Sequence, residues 1–88
     1  MHWKRLKMNE ELLYNINIIH TTKLGVSRIK NNLKIEDIDV VSYCKNIILN
    51  KDSMINKKGK NYYCELDNII ITINSYSYTI ITAHRKGE

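Results

Sequence analysis

The chain has 88 residues, room for one domain and too little for two, and a formal net charge of +5. Hydrophobic residues make up 43%, which excludes general disorder, and no run approaches the roughly 18 consecutive apolar residues of a membrane span. The cation excess favours nucleic acid or an acidic protein surface as partner, although a chain rich in Lys, Asn and Ile reaches the same balance by composition alone.

The chain opens on a basic segment, residues 1–8, in which Trp3 either staples onto the body or rides on a flexible arm. No apolar signal core follows before Asn9, Glu10 and Glu11, so a cytoplasmic location is expected. Leu12, Leu13, Ile16 and Ile19 recur at helical spacing and predict a first helix over about residues 10 to 19, with carboxylates at its positive end. Thr21 or Thr22 caps a second helix, whose buried side is Leu24, Val26, Ile29 and Leu33. Gly25 lies inside that pattern and costs about 1 kcal/mol against Ala, which points to close packing. A third helix is expected from Glu36 or Asp37, with a stripe of Ile38, Val41, Cys44 and Ile48 widened by Val40 and Ile47. It stops near the turn formers Asn50 to Ser53.

The remainder reads as sheet. A loop, Asn56-Lys57-Lys58-Gly59, leads into a strand over Lys60–Leu66. A tight turn at Asp67-Asn68 follows, and then the β-branched run Ile69–Asn74. A second turn at Ser75-Tyr76 leads to a strand over Ser77–His84. Short connections favour antiparallel neighbours. The expected architecture is therefore α+β: two to three N-terminal helices on one face of a C-terminal three-stranded antiparallel β-meander, in a single domain spanning 1–88.

Alternation along the last strand places Tyr78, Ile80, Thr82 and His84 on one face, and Ile69, Ile71 and Ile73 form the greasy face of the strand before it. A His at a strand end, beside hydroxyls and followed by Arg85 and Lys86, suits a general acid or base. A metal-independent ribonuclease needs a base, an acid and cations, roles open to His84, Thr82, His20 and Arg28. The plainer reading leaves His84 at a solvated terminus and His20 closing a helix junction. Lys57, Lys58 and Lys60 mix with Tyr62 and Tyr63, a pairing of cations with aromatic faces that suits single-stranded nucleic acid, and Tyr78 and Arg85 extend the set. Only one of Tyr62 and Tyr63 can face away from the core.

Cys44 and Cys64 lack Cys-x-x-Cys spacing and read as free buried thiols. With His20 and His84 they match no zinc pattern, so no metal or other cofactor is expected.

Three blocks carry a family resemblance: His20-Thr21-Thr22 through Leu24-Gly25, Arg28-Ile29-Lys30 and Asn32-Leu33; Lys58–Tyr63; and Ile71–His84. Over about residues 12 to 85 the chain resembles a bacterial family known as domain of unknown function 3781, which implies no activity. More loosely, helices followed by an antiparallel sheet with a His-bearing last strand are similar to RelE- and colicin-type small ribonucleases, the build of many toxins of toxin–antitoxin systems. The expected function is RNA or nucleic-acid binding, with metal-independent cleavage as its enzymatic form. The alternative is a non-enzymatic protein-binding module, such as a phage- or mobile-element-borne inhibitor of a nucleic-acid-handling host protein. A homodimer through the Ile-rich sheet edge is a third expectation.

Overall fold

The structure is a computed structural model, and it describes residues 10–87. The basic segment 1–8, with Trp3, and Asn9 lie outside the described residues. The first helix (α1) covers residues 10–14 and gives way to a 3-10 turn over Ile16–Ile18 rather than continuing to residue 19. Asn15 is the reason. Its side-chain Nδ2 donates to the Glu11 carbonyl (2.9 Å), the acceptor its own backbone N–H would take in an α-helix, and that N–H turns to Leu12 O instead.

Helix α2 spans Lys23–Leu33 and is capped by Thr22, whose hydroxyl accepts from the Gly25 N–H at 3.0 Å. Gly25, Ile29 and Leu33 are its buried residues, whereas Leu24, expected inside, is 67% exposed. The helix ends where Lys34 enters the left-handed region (φ 57°). Helix α3 spans Val40–Leu49, starting later than the apolar stripe suggested. Asp37 is itself left-handed (φ 56°), which breaks a helix there. Asp39 then caps, accepting from Val41 N–H and Ser42 Oγ. Ile38 is thereby left outside the helix and largely exposed.

Four strands, not three, form the antiparallel sheet among the described residues: β1 (Met54–Lys58), β2 (Asn61–Leu66), β3 (Ile69–Asn74) and β4 (Ile80–Arg85), in the order β1-β2-β3-β4. The segment expected to be a loop before Lys60 is β1 itself. It buries one side chain, Ile55, and carries Lys57 and Lys58, the composition of an edge strand, so it shows almost no alternation. Gly59 (φ 64°) opens the two-residue turn to β2, where a left-handed residue matches the strand twist. The Ile-rich strand β3 pairs on both sides, so the outer strands of the sheet are β1 and β4.

Strand β4 starts at Ile80 rather than Ser77, and a bulge interrupts its pairing: Thr72 faces Thr82 while Ile73 faces Ile80, leaving Ile81 extra. Ile80 and Ala83 therefore both reach the core although they are three apart. The simple alternation that grouped Tyr78, Ile80, Thr82 and His84 on one face fails at this point. Helix α2 packs along β4 and α3 across β2. The buried residues form one cluster, from Leu12 and Ile29 through Cys44 and Ile48 to Tyr62, Ile71, Ile73 and Ile80. No helix among the described residues is long and apolar enough to cross a membrane.

Candidate nucleic-acid interface

Strand register determines what the sheet shows on the face away from this cluster. Successive pairings line up Asn56, Tyr63, Thr72 and Thr82 in one row across all four strands. Towards the β1–β2 turn lies a row of Lys58, Asn61 and Asn74, and on the other side one of Met54, Glu65, Ile70 and His84. At about 4.8 Å between strands, the central row is about 14 Å wide. Amide and hydroxyl groups that both donate and accept surround a single aromatic ring, the half-buried Tyr63. Glu65 is paired with Lys86 (2.6 Å), which offsets its charge on this face.

At the hairpin end of that surface, Asn56, Lys57, Lys58, Gly59 and Tyr63 line one open depression. Lys57, Lys58 and Lys60 are all exposed, with the Lys57 ammonium 6.0 Å from the Tyr62 ring centroid. Tyr62 cannot stack on a base. It is 1% exposed, its hydroxyl donates to Glu11 Oε1 (3.3 Å), and burial pushes its ionisation well above the ordinary phenol range. Tyr63 takes the outward position that alternation allowed to one of the two. Tyr78 is likewise not a strand residue: it is left-handed (φ 58°), half-buried, tilted against Tyr62 at 6.3 Å, and its hydroxyl accepts from Asn15 Nδ2. Arg85 reaches back to donate to the Leu33 carbonyl (3.2 Å) and so braces the end of α2.

The four residues grouped for catalysis do not converge: Thr82 and His84 lie two apart on β4, in neighbouring rows of the outer face, while His20 and Arg28 are held elsewhere. His20 is bridged to Thr79, before β4 begins. His84 lies five residues further on, about 16 Å away at strand rise. Its ring meets only the neighbouring Arg85 carbonyl, at 3.3 Å. Thr82 accepts from Asn32 Nδ2 of α2, which also donates to Ala83 O on the β4 edge. Arg28 sits on the outer side of α2, lining a shallow groove with Leu24, Lys30, Lys34 and Ile35. One constellation escaped the sequence reading: His20, Thr79, Ser77 and Asn74 form a continuous hydrogen-bonded chain. The signal was present as three polar residues in the stretch taken for turn and strand, but the pairing with His20 is a tertiary contact.

Both thiols are buried, and burial first, then the neighbouring Cys64, pushes Cys44 from 9.0 up to about 12. Neither is poised as a nucleophile.

Residues 13–84 match the model of a family described as Protein of unknown function (DUF3781). No curated protein and no solved structure gives a significant match.

Proposed function

The chain belongs to the DUF3781 family, whose description carries no activity, and we propose from its own residues that it binds nucleic acid, with single-stranded RNA the favoured ligand. The observation that supports this most is the depression lined by Asn56, Lys57, Lys58, Gly59 and Tyr63, continuous with the polar central row of the outer sheet face. Lysines on a hairpin track phosphates, a half-exposed Tyr ring gives one stacking platform, and the exposed Asn56 amide can meet a base edge. Cleavage is not part of the proposal, because His84, Thr82, His20 and Arg28 do not share a cleft.

The test is fluorescence anisotropy of a labelled single-stranded RNA against rising salt. Replacing Lys57, Lys58 and Lys60 with Gln removes three potential phosphate contacts and lowers the salt slope by about 2, at about 0.7 per contact on a single strand. Tyr63→Ala costs about 1–3 kcal/mol of affinity. Binding that is absent, or indifferent to salt and to both changes, overturns the proposal.

The α2 groove supports a second reading. Leu24 is 67% exposed among Arg28, Lys30 and Lys34, a surface suited to an acidic, partly apolar segment of another protein. Under that reading Leu24→Ser and Arg28→Glu disrupt function while the hairpin changes do not.

A further inference from the structure

The connection from β3 to β4 holds chemistry that nucleic-acid binding does not use. His20 Nδ1 lies 2.9 Å from the Ile18 carbonyl oxygen. A carbonyl only accepts, so Nδ1 carries the proton of the neutral ring and the lone pair is at Nε2. Nε2 lies 3.1 Å from Thr79 Oγ1, which must then donate to it. Ser77 Oγ, 2.8 Å from Thr79 Oγ1 and 3.2 Å from Asn74 Oδ1, shares its one proton between them. The result is a hydroxyl aimed at the basic nitrogen of a ring whose tautomer is fixed.

The backbone holds this pair in register. His20 N–H donates to Tyr78 O (3.2 Å) and Ile80 N–H to His20 O (2.7 Å), so His20 and Thr79 sit opposite each other as a bridge. Asn74 Oδ1 accepts from the backbone N–H groups of both Tyr76 and Ser77 and shapes the turn. Tyr78, between the two hydroxyl residues, adopts a left-handed conformation that costs a non-glycine residue about 1–2 kcal/mol, a kind of strain that gathers at functional sites. His20 and Ser77 are exposed and Thr79 half-buried, so a small molecule can reach the pair.

We infer that Thr79 Oγ1 is a nucleophile activated by His20 as general base, and that it accepts the acyl group of an activated carboxylic ester. Thr79 Oγ1 attacks the ester carbonyl carbon as its proton passes to His20 Nε2. The ester C–O bond breaks with its electron pair on the leaving oxygen, and the imidazolium returns the proton to that oxygen. The products are acyl-Thr79 and the free alcohol. The inference is independent of nucleic-acid binding.

The folded chain is incubated with p-nitrophenyl acetate, and the acetyl group is located by peptide fragmentation. The expected result is acetyl-Thr79. Thr79→Val, which keeps the shape, abolishes labelling at this position, and Thr79→Ser retains it. His20→Asn slows Thr79 labelling by about 100-fold or more. Circular dichroism establishes that each variant folds, and the reaction is read only on those that do, Thr79→Ser serving with the unaltered chain if the others fail. Acetyl groups confined to lysines or Ser77, or Thr79 labelling unchanged in folded His20→Asn, overturn the inference.

Discussion

Gly25 packs against Thr21, whose hydroxyl ties the entry to α2 to the β4 backbone, and replacing it with Ala separates two opposing effects. A Cβ built there falls well inside van der Waals contact with Thr21 Oγ1, the hydroxyl that donates to the Ile80 carbonyl at 2.9 Å. In an unobstructed helix interior Gly→Ala is favourable by about 1 kcal/mol. Here Thr21 must rotate, which loses a hydrogen bond of about 1 kcal/mol and adds rotamer strain of about 1 kcal/mol. The net expectation is destabilisation by about 1 kcal/mol in the unaltered chain. In a Thr21→Ala background the obstruction is gone, and Gly25→Ala stabilises by about 1 kcal/mol, giving a coupling of about 2 kcal/mol. The contact of the new Cβ with Thr22 Oγ1 at 3.3 Å is common to both backgrounds and cancels. Urea unfolding followed by circular dichroism measures all four corners of the cycle. An equal effect of Gly25→Ala in both backgrounds refutes this account of how α2 seats on β4.

Lys34→Gly places a residue without a Cβ at the left-handed end of α2 and gains about 1 kcal/mol in urea unfolding, with RNA affinity little changed because Lys34 is on the other binding surface. Cys44 contributes stability that is fully present below about 9.0, where the unfolded thiol starts to ionise, and is lost as pH rises towards about 12, where the folded one does. The urea midpoint therefore holds up to about pH 9 and falls as pH rises above it, and it falls less in Cys44→Ala. Both thiols react with a thiol reagent only after unfolding.

The helices and strands β2, β3 and β4 were legible because their apolar residues recur at the period of the element they form: Ile29 and Leu33 in α2, Cys44 and Ile48 in α3, Ile71 and Ile73 in β3. What escaped depends on single polar groups or on neighbours in space. Asn15 ends α1 by taking a backbone acceptor with its side chain, and Asp39 moves the start of α3 past Ile38. Strand β1 buries one side chain of five, so no period exists to read. The bulge at Ile81 puts Ile80 on the face opposite Thr82, and Tyr78 was misplaced because it is a left-handed residue ahead of β4. The choice between Tyr62 and Tyr63 followed from alternation only once the sheet had a covered face. The Lys-rich hairpin was visible as composition, whereas the pairing of His20 with Thr79 spans 59 residues and has no local trace.

The proposed binding surface is tested most directly by amide chemical-shift mapping with a short single-stranded RNA. Shifts confined to Asn56–Tyr63 and to Thr72 and Thr82 on the outer sheet face are the predicted result. Shifts gathered along α2 from Leu24 to Glu36 with the hairpin silent, or no shifts at all, contradict it.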